Sequence, residues 1–109
     1  MDQVQVTMDD IQIVVDRLVH AANPRRIILF GSYARGEQTH DSDIDIMVIE
    51  DTVKHQGMEM VRLRKAAGRI APGVGIDILV YPTEKIQDPV SGTVVFQALS
   101  EGTILYECG

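Results

Sequence analysis

Phe30-Gly31-Ser32-Tyr33-Ala34-Arg35-Gly36, followed by Ser42-Asp43-Ile44-Asp45, is the stretch on which the fold of this chain turns. Just before it, Arg26–Phe30 sets Ile, Ile, Leu and Phe in a row, the pattern of a buried strand, and Gly31 closes that strand with a tight turn. A glycine there lets backbone approach a ligand closely, because no Cβ intervenes and φ is unrestricted. Ser32 offers a hydroxyl and an N–H at the start of a short helical turn over 33–36, where free N–H groups and the helix dipole favour an anion such as phosphate. From Asp43 the residues alternate. Asp43, Asp45, Met47 and Ile49 fall on one side and Ile44, Ile46 and Val48 on the other, so a second strand is expected with both carboxylates on one face, about 7 Å apart. Two carboxylates held together repel, and a hard divalent cation offsets that repulsion. Mg²⁺ binds through a few carboxylates together with phosphate oxygens and water, so a metal–phosphate site is the economical explanation.

Outward from this segment, Asp9 and Asp10 precede Ile11, Val14, Val15, Leu18 and Val19, a spacing that buries one stripe of a helix over about 8–22, ended by Asn23-Pro24. After a loop at 51–57, Met58, Val61, Leu63, Ala66 and Ile70 give a second, less regular helical stripe, ended by Ala71-Pro72-Gly73. Residues 74–81 read as a third strand carrying Asp77 within an otherwise apolar run. A lone buried carboxylate is costly, so Asp77 is expected to face a partner, a metal or a cleft. If this strand lies beside the second, Asp43, Asp45 and Asp77 share one edge and can hold one metal or two. Val90, Val94, Val95, Ala98 and Leu99 follow helical spacing up to Gly102, with a strand as the alternative because the stretch is β-branched. Thr103–Glu107 is a last short strand. The order α-β-turn-β-α-β-α-β describes a small α/β or α+β domain.

At 109 residues the chain is expected to be one domain, 1–109, with an ordinary globular composition of 45% hydrophobic and 24% charged residues. No apolar run approaches the roughly 18–20 residues that span a bilayer, and the acidic start has no basic segment leading into a hydrophobic block, so a cytoplasmic protein is expected. The lone Cys108 has no internal disulfide partner and reads as a spare thiol. A net charge of −6 disfavours broad attraction to nucleic acid. Arg62, Arg64, Lys65 and Arg69 form a local basic cluster that reads first as a solvated helix face. His20, His40 and His55 lack metal-ligand spacing and read as surface histidines. Arg35 either binds phosphate or pairs with a carboxylate, Tyr33 either stacks on a base or packs, and Ser42 orients the loop before the carboxylates.

Gly31-Ser32, ten residues and then Asp43-x-Asp45, with Asp77 on a later strand, resembles the signature of the polymerase-β-like nucleotidyltransferase superfamily. The fuller Gly-Ser-Tyr-Ala-Arg-Gly followed by Ser-Asp-Ile-Asp-Ile is most similar to the minimal nucleotidyltransferase (MNT) group, several members of which are antitoxins encoded with a HEPN-type toxin. The resemblance implies a nucleotidyltransferase fold, a small mixed sheet of three to four strands flanked by helices. It also implies Asp43, Asp45 and Asp77 as catalytic and metal-binding residues, with Gly31, Ser32 and Arg35 holding the nucleotide. Mg²⁺ is the implied cofactor and ATP or another NTP the implied substrate. The implied reaction moves an NMP, AMP first among them, to a hydroxyl of a partner protein, the HEPN-type toxin. The alternatives are a nucleotide-binding module that neutralises the toxin by complex formation alone, and the catalytic subunit of a small-molecule nucleotidyltransferase.

Overall fold

The computed structural model describes residues 6–39, 41–71 and 73–108; His40, Pro72 and the first five residues, on which parts of the expectations above fall, lie outside them. Along the chain run α1 (Met8–Ala22), β1 (Arg26–Phe30), α2 (Ser32–Arg35), β2 (Ile44–Glu50), α3 (Gln56–Ala67), β3 (Ile76–Pro82), a 3-10 turn (Thr83–Ile86), α4 (Val94–Glu101) and β4 (Thr103–Glu107). The strands form one mixed sheet in the order β3-β2-β1-β4. β1 is antiparallel to both β2 and β4, and β2 is parallel to β3. The end of β1 and the starts of β2 and β3 therefore meet at one rim of the sheet, where the candidate residues lie.

Local chemistry sets the helix boundaries. Thr7 caps α1 in a capping box with Asp10, each side chain taking the other's backbone N–H, and Asn23 ends the helix in the left-handed conformation. Thr93 caps α4 by accepting the Phe96 N–H. That cap, with Ala98 buried against the sheet, decides the β-branched stretch in favour of helix and leaves Val90 exposed ahead of it.

β2 is buried on both faces, as a central strand with helices on either side requires. Ile44, Ile46 and Val48 join Ile27, Leu29, Ile76, Ile78 and Val80 under α1 and α3, while Met47 and Ile49 join Ile28, Phe30 and Ala98 under α4. Each such aliphatic side chain contributes roughly 1.5–3 kcal/mol on burial. The expected stripe of α3 is corrected. Met58 and Val61 are exposed, and Leu63 and Ala67 face the core with Met60 packed beside them. Gly68, with positive φ, ends α3 ahead of the expected breaker. No helix among the described residues is long and apolar enough to cross a membrane.

One polar cluster lies away from the rim. Glu50, the last residue of β2, meets Glu59 of α3, and Glu59 accepts two hydrogen bonds from the Arg62 guanidinium, each 2.7 Å long. Burial first, then the Glu59 carboxyl, pushes Glu50 up to about 7, so it can keep a proton to donate to Glu59. Ionised, its enclosed Oε2 has no hydrogen-bond partner. Glu59 is held down to about 2, first by Arg62 and then by Glu50. Between pH 4.5 and 7 the folded chain therefore holds a proton that an ordinary glutamate of value 4.5 has released on unfolding, and stability falls as pH rises through that window. Below 4.5 the depressed Glu59 acts in the opposite sense, and stability falls as pH drops toward 2. Glu50→Gln supplies a permanent N–H donor, and is expected to leave stability unchanged near pH 5 and to raise it at pH 8. Urea unfolding at the two pH values checks this; equal differences between variant and wild type at both would remove Glu50 as the titrating group.

Candidate active site

Gly31 follows the last residue of β1 with φ 74° and ψ −153°, a backbone conformation that side-chain-bearing residues rarely adopt. A Cβ built on it would stand 2.2 Å from Asp45 Oδ2. The glycine thus serves two ends, turning the chain from β1 into α2 and making room for a carboxylate from the neighbouring strand. Gly31 occupies the N-cap position of α2, so Ser32 is the first helical residue and its hydroxyl is not spent on capping. The turn closes tightly. Gly36, also with positive φ, donates its N–H to the Ser32 and Tyr33 carbonyls, and Glu37 N–H reaches the Ser32 carbonyl at 2.9 Å. Tyr33 packs against the core under α1.

The three carboxylates come together as the strand pairing dictates. Asp45 and Asp77 are register partners on the parallel pair β2 and β3, and Phe30 lies opposite Asp45 on its other side. Asp43 sits just before β2, where its Oδ1 accepts the Gly75 N–H at 3.2 Å while the Ile44 N–H donates to the Gly75 carbonyl at 2.9 Å. A Cβ on Gly75 would fall 2.6 Å from Asp43 Oδ1. Two aspartates are therefore each seated against a glycine from another part of the chain. Ser42 holds the preceding loop, its Oγ accepting the Thr39 N–H at 2.9 Å.

Electrostatically the cluster is a concentration of negative charge. Burial pushes the Asp45 carboxyl up from its ordinary value, Asp77 and then Asp43 push it further, and only Arg35 acts in the opposite sense. Asp77 is exposed and stands 3.5 Å from the Arg64 guanidinium, a partner of the kind expected for a carboxylate in an apolar strand. Arg35 pairs with Glu37 and, at 3.9 Å, with Glu101, so of its two expected roles the structure displays the ion pair. Among the described residues no three Asp, Glu, His or Cys side chains form a ready metal cage. The carboxylates at this rim are Asp43, Asp45 and Asp77, side chains of the kind that hold Mg²⁺ together with phosphates and water. The donor set is hard carboxylate oxygen, and the mutual repulsion at Asp45 is what a divalent cation relieves. A cleft of about 340 Å³ opens beside these groups, lined by Phe30, Asp45, Met60, Arg64, Asp77 and Leu79 among others.

Gly75 is absent from the sequence reading of the site, whereas Asp77 is expected there to face a partner, a metal or a cleft, and the structure supplies Arg64 as that partner. Gly75 was legible only as a glycine two residues before Asp77, and its function depends on contact with a residue far along the chain. His20 and His55 are exposed and apart from the site, and Cys108 is exposed near the C-terminal end.

Residues 12–108 match the family described as polymerase beta, nucleotidyltransferase. A "putative protein adenylyltransferase" of Methanocaldococcus jannaschii is 33% identical over 82 residues, covering 75% of this chain and 78% of that protein. A second protein of the same organism and description is 79% identical over 24 residues, which is 22% of this chain and 24% of that one. Among solved structures, a "putative nucleotidyltransferase" from Sulfolobus solfataricus superposes with a TM-score of 0.59 at 18% identity, over 92% of this chain and 79% of that one. A mutant of the toxin–antitoxin MntA-HpeT gives 0.61 at 20% identity, over 94% and 75%, and a toxin–antitoxin with AMP-PNP gives 0.54 at 25%, over 87% and 72%. The first two of these structures speak for the fold alone. The family match over nearly the whole chain, together with the Methanocaldococcus relative, establishes that this chain belongs to the polymerase beta nucleotidyltransferase family.

Proposed function

We propose that this chain, acting as a single domain in the cytoplasm, is a Mg²⁺-dependent protein adenylyltransferase that moves AMP from ATP to a hydroxyl of a partner protein, and that the partner is a HEPN-type toxin which the reaction neutralises. The observation that carries the chemistry is the seating of Asp45 against Gly31 with Asp77 in register beside it. This arrangement sets a phosphate-accepting turn and a pair of carboxylates at the same rim. The description of the Methanocaldococcus relatives supports a protein as acceptor, and the toxin–antitoxin neighbours support a toxin as that protein.

In this reading the Gly31 backbone and the Ser32 hydroxyl and N–H hold the β- and γ-phosphates. Arg35 adds a positive charge at the same turn once it exchanges Glu37 for phosphate. Asp43 and Asp45, with Asp77 beside them, hold Mg²⁺, which when bound neutralises phosphate charge. Asp77, oriented by Arg64, takes the proton of the acceptor hydroxyl. The acceptor oxygen bonds to the α-phosphorus as the bond from that phosphorus to the bridging oxygen breaks, and pyrophosphate leaves. Most of the rate enhancement comes from alignment and charge neutralisation.

The deciding experiment incubates the chain and its genetic neighbour with Mg²⁺ and each NTP in turn and reads intact mass. One AMP added to the partner is expected. A stable complex with no addition from any NTP would instead favour neutralisation by binding alone. A separate measurement tests the nucleotide site without any partner. Mg²⁺ with ATP at a hundredfold excess over Kd is expected to stabilise the fold by about 2.7 kcal/mol, on the order of 10 °C in Tm, and by far less in Asp43→Asn and Asp45→Asn. Equal shifts in all three proteins would exclude these aspartates from the site.

A further inference from the structure

A second groove, of about 500 Å³, adjoins the carboxylate cluster on its β3 side. Arg64, Lys65 and Arg69, from α3 and the residues after it, line one wall, and Gly73, Val74 and Gly75 line the other. It meets the candidate active site at two points. Gly75 is the residue against which Asp43 rests, and Arg64 is the residue that reaches Asp77. Among the described residues neither Lys65 nor Arg69 has an ion-pair partner, whereas Arg25, Arg26, Arg35 and Arg62 each pair with a carboxylate. A chain of net charge −6 thus leaves unneutralised positive charge beside Asp77.

Resting on the function proposed above, we infer that this groove receives the acceptor, and that the acceptor is a polypeptide segment carrying acidic side chains next to its reactive hydroxyl. Direction follows from the sheet order. The phosphate-accepting turn lies after β1, on one side of Asp45, and Asp77 on β3 lies on the other, so an acceptor hydroxyl reaching Asp77 enters past β3. The groove is the surface it crosses, and its free cations attract carboxylates. A long nucleic acid fits less well, because outside this strip the acidic surface repels its backbone. The triphosphate is already engaged at the opposite side of Asp45.

The probes are three nine-residue peptides with a central tyrosine flanked by glutamates, by serines or by lysines, and an eight-nucleotide single-stranded RNA, each carrying a fluorophore. Anisotropy at low ionic strength is expected to rank the glutamate peptide first, about tenfold tighter than the serine one, with the advantage shrinking as salt is added. Lys65→Glu combined with Arg69→Glu should abolish that preference while the Tm rise from Mg²⁺ and ATP stays as in wild type, since neither residue touches the nucleotide site. Where transfer to the partner is measurable, the same double variant should raise KM with kcat retained. Equal affinity for all three peptides, a preference that survives the double variant, or tighter binding of the RNA would each overturn the inference. Peptide binding needs no turnover, so failure of the adenylyltransferase reading would show in the transfer and Tm experiments and leave this measurement interpretable.

Discussion

Replacing Asp45 by alanine is expected to lower AMP transfer by on the order of a thousandfold or more while leaving the chain folded, and Asp43→Ala should do the same. The reaction gathers negative charge on the transferred phosphoryl group, and the proposed answer to that charge is a cation held on these side chains, so their loss removes charge neutralisation and alignment together. The fold has little to lose. Asp43 is exposed and Asp45 only half-buried, and the Asp45 carboxyl is pushed up by burial and by its two acidic neighbours, so its ionised form is disfavoured in the folded state. That cost is present above the raised folded-state value and vanishes below the unfolded one, so Asp45→Asn should stabilise the protein at neutral pH and make no difference in acid. Transfer rates by intact mass and urea unfolding at pH 7 and at pH 3, below the ordinary carboxyl value of 3.8, separate the two effects. An Asp45→Ala protein that folds and transfers at the wild-type rate would show that the catalytic face lies elsewhere.

Much of the site was legible because its parts are local. Gly31-Ser32 and Asp43-x-Asp45 lie within fifteen residues, and a period of two in β2 is enough to put Asp45 on the face opposite Ile44 and Ile46. Asp77 was found because a charge in an apolar run demands an explanation. An edge position facing a partner is one of the places open to such a residue, and the structure gives it that place on the outer strand β3, 3.5 Å from Arg64. Which cation it meets depends on the packing of α3 beside β3, and so does the stripe that α3 buries. Met58, Val61 and Leu63 do not share a face, and only the packing of α3 on α1 and β3 selects Leu63 and Ala67 over the exposed pair. Gly75 and the Glu50–Glu59 contact were beyond reach because each joins residues distant in sequence, and a glycine gives no chemical sign of what rests against it.

Gly31→Ala is the substitution expected to damage both fold and site, and its effect should depend on Asp45. A side chain at φ 74° and ψ −153°, a region that is essentially glycine's alone, carries backbone strain of about 1–3 kcal/mol. The added methyl would also meet Asp45 Oδ2 at 2.2 Å, well inside any real contact, and relieving that overlap adds about 1–3 kcal/mol. The carboxylate is the part free to move, so Gly31→Ala should swing Asp45 away from the phosphate turn and abolish the Tm rise from Mg²⁺ and ATP. In an Asp45→Ala background the clash disappears and only the backbone strain remains. The double variant should therefore be more stable than the sum of the single losses predicts, by about 1–3 kcal/mol, while staying inactive. Urea unfolding of the four proteins closes the cycle. If Gly31→Ala alone is too unstable to purify, recovery of a folded protein in the Asp45→Ala background gives the same answer. Strict additivity of the two substitutions would mean that Gly31 serves the turn alone, and that the close approach of its backbone to the Asp45 carboxylate has no part in building the site.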